Sequence, residues 1–97
     1  MKAYKHLIKY ALGKGCTISV FDGEEWQVKG SKKFKEITEA IESVEEAQLR
    51  IVDPLTNNRM GWALVSPFGL EDDETVIDAS DNWFMNDWST AYELITA

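Results

Sequence analysis

Cys16-Thr17-Ile18-Ser19-Val20-Phe21-Asp22-Gly23-Glu24-Glu25-Trp26-Gln27-Val28-Lys29 decides the fold class. Apolar and polar residues alternate with period two on both sides of Asp22-Gly23, a dipeptide that closes tight turns, so the stretch predicts a β-hairpin. Trp26 and Val28 share one face of its second strand, and that spacing assigns Trp26 to the core.

Working outward, Tyr4, Leu7, Ile8, Ala11 and Leu12 recur at helical spacing, and Gly13-Lys14-Gly15 stops the helix before the hairpin. After the hairpin, Phe34, Ile37, Ala40, Ile41 and Val44 mark a second helix, with Ser31 as its expected N-cap. Residues 47–52 alternate again, a loop follows at Asp53-Pro54 and Asn57-Asn58, and residues 59–66 are continuously β-compatible. Met60, Trp62 and Leu64 lie opposite Gly61, Ala63 and Val65, a pattern that suits a central strand covered by helices. Residues 75–78 read as an edge strand beside the acidic run Glu71-Asp72-Asp73-Glu74. Ser80, Asp81 or Asn82 caps a last helix whose apolar face is Phe84, Trp88, Ala91, Tyr92 and Ile95. The expectation is a single α+β domain over residues 1–97: an antiparallel sheet of about five strands with three helices, in the order α-β-β-α-β-β-β-α.

Ninety-seven residues, 44% of them hydrophobic and four of them Trp, suffice for one continuous core. The longest apolar stretches fall far short of the roughly 20 residues that span a bilayer, and residues 1–5 lead into no signal-peptide core. With a single cysteine, Cys16, there is no intramolecular disulfide, and a lone Cys on a strand is ordinarily a small buried hydrophobe. A soluble cytoplasmic protein is expected.

No catalytic apparatus is legible. The one histidine, His6, sits among Lys2, Lys5 and Lys9 and reads as a solvated surface residue, so no base accompanies a nucleophile. One Cys and one His cannot build a zinc site, and the acidic run lacks the alternating ligands and mid-loop glycine of an EF-hand. Neither a phosphate-cradling nor a dinucleotide-binding glycine motif is present. The chain is therefore expected to be non-enzymatic, without cofactor or metal.

Charge carries the functional expectation. The net charge is −7, but residues 1–35 hold eight Lys against Asp22, Glu24 and Glu25, while residues 36–97 hold fourteen acids against Arg50 and Arg59. Along the second helix the charges oppose the macrodipole: Lys32, Lys33 and Lys35 crowd its start, and Glu42, Glu45 and Glu46 its end. Phosphate repels such an acidic surface, so direct nucleic-acid binding is not expected and a basic protein surface is the natural partner. Candidate contacts are Glu36, Glu39, Glu42, Glu45, Glu46, Glu71, Asp72, Asp73, Glu74, Asp78, Asp81 and Asp87. Glu39, Glu42 and Glu46 recur at helical spacing and are expected to form one acidic row. Trp83 fits the last helix's apolar face least well and is the expected exposed aromatic contact, whereas Trp88 belongs to the core.

In size and charge the chain resembles the small acidic accessory proteins that bacteriophages make to disable host enzymes, several of which mimic DNA. Trp62-Ala63-Leu64-Val65 is similar to a strand with the same four residues in the phage uracil-DNA glycosylase inhibitor family, which also combines an antiparallel sheet with helices. The resemblance implies an acidic decoy for a nucleic-acid-handling host protein, acting in the host cytoplasm. No binding residue is carried over from those four positions. The alternative is a small structural or adaptor domain whose acids serve solubility.

Overall fold

A computed structural model describes residues 2–69 and 71–96. The elements are α1 (Ala3–Gly13), β1 (Thr17–Phe21), β2 (Trp26–Ser31), α2 (Phe34–Glu42), β3 (Ala47–Asp53), β4 (Asn58–Val65), a 3-10 turn (Asp72–Thr75), β5 (Val76–Ala79) and α3 (Trp83–Thr96). Apart from the 3-10 turn, which the acidic run forms, this is the expected α-β-β-α-β-β-β-α order. The strands make one antiparallel sheet in the order β2-β1-β3-β4-β5.

Register fixes which residues share a face. Ile18 lies opposite Ile51, Val20 opposite both Leu49 and Val28, Leu49 opposite Ala63, and Ala47 opposite Val65. These residues are buried, and with Tyr4, Leu7 and Ile8 of α1, Ile37 and Ile41 of α2, and Phe84, Met85 and Trp88 of α3 they form one core. The helices lie as a layer on that face with α1 between α2 and α3. Gly61 belongs to the same face because α3 comes close there: a Cβ would stand 2.5 Å from Met85 Sδ.

The other face carries no helix among the described residues, which corrects two expectations. β4 has a strand on each side, but helices cover only one of its faces, and β3 is the central strand. Trp26 and Trp62 are half-exposed on the helix-free face instead of buried in the core. For Trp62 the reason is that period-two alternation separates the two faces of a strand without saying which one a helix will cover. For Trp26 it is a register shift between Val20 and Phe21, which breaks the alternation, so that Val28 pairs with Val20 in the core while Trp26 pairs with Phe21 on the other face and the two do not share a face as expected.

Local chemistry explains the turns. Asp22 accepts hydrogen bonds from the backbone N–H groups of Glu24 (2.8 Å) and Glu25 (2.7 Å), and Gly23 takes φ +104°, the left-handed region that glycine tolerates. Ser31 does not cap α2; it ends β2, its hydroxyl accepts the Lys33 N–H at 3.0 Å, and Lys33 stands at the N-cap position without a side-chain capping bond. Of the three candidates for α3, Asn82 is the cap: its Oδ1 accepts the Met85 N–H and its Nδ2 donates to the Met60 carbonyl.

Candidate functional site

In an antiparallel sheet, alternate connections emerge at the same end. One end of this sheet is marked by the end of β1, the starts of β2 and β3, the end of β4 and the start of β5. The first turn of α1 reaches that end, because the Tyr4 N–H donates to Thr75 Oγ1 (3.2 Å) and Lys2 Nζ donates to the Pro67 carbonyl (2.8 Å). α2 finishes there, and α3 arrives there, where Ala3, Asp73, Trp88 and Glu93 are among the residues that line a groove of about 300 Å³.

The acids converge on this end. The β1–β2 turn brings Asp22, Glu24 and Glu25, the end of α2 and the following turn bring Glu42, Glu45 and Glu46, the β4–β5 connection brings Glu71, Asp72, Asp73 and Glu74, and α3 adds Glu93. Eleven of the 17 Asp and Glu residues thus stand at one end, with Lys2 and Lys5 the cations among them within the described residues. The opposite end carries Lys14, Lys32, Lys33, Lys35 and Arg59, interspersed with Glu36, Asp53 and Asp81. α2 runs from the lysine-bearing end to the acidic end, so its charges follow the polarity of the whole molecule at the expense of its own dipole.

The acidic end is built from tied segments. Tyr4 Oη donates to Glu42 Oε1 at 3.1 Å, and Lys5 Nζ lies 3.8 Å from the same oxygen. Burial and the Glu42 carboxylate both push the Tyr4 phenol well above the ordinary tyrosine range. Thr75, fully buried, accepts from Tyr4 N–H and donates to the Asp72 carbonyl at 2.7 Å, which fastens the 3-10 turn to α1. Glu74 accepts the Glu71 N–H at 3.3 Å across that turn. Backbone N–H groups of Glu25 and Glu24, with the Gln27 side-chain amide, hold the Asp22 carboxyl below its usual range. Asp22 and Glu46 line one shallow depression beside Phe21 and Leu64.

Of the sequence-based candidates, Glu42, Glu45, Glu46, Glu71, Asp72, Asp73 and Glu74 are brought together. The others are not. Glu36 and Glu39 lie along the exposed side of α2, where Glu39 is 3.9 Å from Lys35. Asp78 is on β5 opposite Leu64, Asp81 precedes α3 at the far end, and Asp87 accepts a hydrogen bond from Tyr10 on the face of α3 towards α1. The expected row of Glu39, Glu42 and Glu46 does not form, because α2 ends at Glu42 and Glu46 leads into β3. Trp83 is 69% exposed at the start of α3, away from the acidic end, while Trp88 is buried. Sequence reasoning left Asp22, Glu24, Glu25 and Glu93 out.

His6 also departs from expectation. It is half-buried, its Nδ1 accepts the Trp88 Nε1–H at 3.0 Å, and its ring lies 5.3 Å from that of Tyr92. Burial lowers its pKa, and the ring makes a specific contact with Trp88 instead of standing free in solvent. Cys16 is buried, and burial raises its thiol pKa. Among the described residues no group of three or more His, Cys, Asp or Glu is placed to hold a metal ion, and no helix is long and apolar enough to cross a membrane. No protein-family model matches the chain, and no curated protein or solved structure matches it either.

Proposed function

We propose that this protein is a non-enzymatic inhibitor, phage-encoded, that sets its acidic end against the basic surface of a nucleic-acid-handling host protein in place of DNA. The observation that carries the reading is the convergence of eleven carboxylates from four separate stretches of chain on one end of the sheet. Such a density of like charge raises the local potential and favours association with Lys and Arg side chains that otherwise meet phosphates. It also repels itself, and the hydrogen bonds that hold Glu42, the 3-10 turn and Asp22 oppose that repulsion. A solubilising coat needs no such concentration at one end.

The test is affinity capture from a bacterial lysate with two variants of equal net charge. Glu24→Gln, Glu45→Gln and Glu46→Gln together remove three charges from the acidic end; Glu36→Gln, Glu39→Gln and Asp78→Asn remove three elsewhere. The first set is expected to weaken partner binding by about tenfold or more and the second to leave it within about twofold, since long-range attraction depends on where the charges sit. Equal losses in both variants, or none in either, contradict the reading.

A further inference from the structure

Two residues of β2, Lys29 and Gly30, stand against one of β1, Ser19, because the register shifts between the pairs Ile18–Ser31 and Val20–Val28. Such a bulge re-aims a side chain, and Gly30 takes the φ of +58° that it needs. The Gly30 N–H donates to Ser19 Oγ at 2.8 Å, which leaves the Ser19 O–H to donate elsewhere. Ser19 lies opposite Arg50 of β3, and Arg50 lies opposite Trp62 of β4. Lys29, Ser19, Arg50 and Trp62 therefore form one row across four strands of the helix-free face.

Lys29, Ser19 and Arg50, with Trp26, line a depression of about 230 Å³ in this row. The ammonium, the hydroxyl, the guanidinium and the indole N–H are all donors, and no carboxylate is among the lining residues. Neither Lys29 nor Arg50 is ion-paired among the described residues, in a chain with 17 acids. The Arg50 guanidinium lies 4.7 Å from the centroid of the Trp26 ring, so that packing restrains its fork before any ligand arrives. Next in the row, Gln48 accepts the Trp62 indole N–H at 3.2 Å, which fixes a half-exposed ring.

We propose that this row binds one small phosphate monoester that carries a planar ring, with the phosphate in the depression and the ring against Trp62. Two cations and a hydroxyl donor match a group with close to two negative charges and three acceptor oxygens, whereas a carboxylate has one charge and two oxygens. Trp62 stands one strand spacing, about 4.8 Å, beyond Arg50 and offers a stacking surface to a ring tethered to that phosphate. Charge limits the ligand to a single phosphate. Asp78 lies on the same face beyond Leu64, Asp22 and Glu46 line the depression beside Phe21, and the chain carries −7, so each further phosphate of a polynucleotide meets repulsion. The site does not depend on what the acidic end binds.

Titration with adenosine 5′-monophosphate, followed by the indole N–H resonances of the four Trp residues, tests this. Trp26 and Trp62 are expected to shift, with a dissociation constant of about 1 mM or lower, and Trp83 and Trp88 to stay in place. Adenosine, which lacks the phosphate, is expected to bind about tenfold or more weakly, and inorganic phosphate, which lacks the ring, about fivefold or more weakly. Arg50→Gln raises the dissociation constant for the monophosphate about tenfold or more. Trp62→Leu raises it about fivefold or more and leaves inorganic phosphate within about twofold. Dispersed amide spectra confirm that both variants fold. Absence of any shift at Trp26 and Trp62 overturns the proposal, as does an affinity for the monophosphate no greater than for either of its parts. A single-stranded oligoadenylate that binds at the same two indoles as tightly as the monophosphate also overturns it and assigns the face to a nucleic-acid strand.

Discussion

The two ends of the sheet are made of the same kinds of connection and carry opposite chemistry. At the acidic end every connection contributes carboxylates, and the segments are tied to one another across long sequence separations: Tyr4 to Glu42, Tyr4 to Thr75, Lys2 to Pro67. At the opposite end the ties are local: Gly15 at positive φ in the turn after α1, Gly30 at positive φ where the register of β2 on β1 shifts, and the Asn82 cap of α3. The difference teaches that charge neighbours are set by topology. Asp22 lies in the basic third of the sequence, yet it stands beside Glu46 in space. The macrodipole cost along α2 is the local consequence of a polarity that runs through the whole molecule.

The largest expected effect comes from cutting the tie at the acidic end. Thr75→Val preserves shape but removes the hydroxyl that accepts the Tyr4 N–H and donates to the Asp72 carbonyl, a loss of about 1–3 kcal/mol for a buried hydroxyl. Thermal melts should show Tm lower by roughly 5–15 °C. The 3-10 turn is then no longer held on α1, so capture of the partner should weaken as well. At the opposite end, Asn82→Ala removes the α3 cap and costs about 1 kcal/mol, and it should leave capture unchanged at temperatures where the variant is folded. If Asn82→Ala weakens capture as much as Thr75→Val does, the two ends do not differ functionally.

How much of this was legible in the sequence differs between fold and site. The Asp22-Gly23 hairpin, the three amphipathic helices and the β3–β4 hairpin were legible because each is specified locally, by periodicity and turn chemistry. The fate of Trp62 was not, because β4 is apolar or small on both faces and nothing local says which one the helices take, and that of Trp26 was not, because the register shift that parts it from Val28 arises only in pairing with β1. The acidic end was half legible. Glu71-Asp72-Asp73-Glu74 is plain as a run, but its meeting with the Asp22 turn and with Glu45 and Glu46 follows only from strand order. One guide is general: when successive elements run alternately up and down, every second connection returns to the same end. His6 was misread because the Trp88 indole that donates to it lies 82 residues away.

The smallest expected effect concerns pH. Asp22 has its folded pKa held below the unfolded value near 3.9 by three hydrogen-bond donors, so its contribution to stability is complete above that value and is lost as pH falls through the folded pKa. Below about pH 4 the native Tm should therefore fall more steeply than that of Asp22→Asn, whose amide does not titrate. Parallel curves would mean that the turn at the acidic end is not held by its carboxylate.

The central claim is that the acidic end takes the place of DNA on a basic protein surface. It is tested most directly by titrating the captured partner with this protein at several fixed concentrations of duplex DNA and several salt concentrations. The account predicts mutually exclusive binding: the apparent dissociation constant rises in proportion to DNA occupancy, and the affinity falls steeply as salt increases. A ternary complex of partner, DNA and this protein, with an affinity indifferent to both DNA and salt, would contradict it.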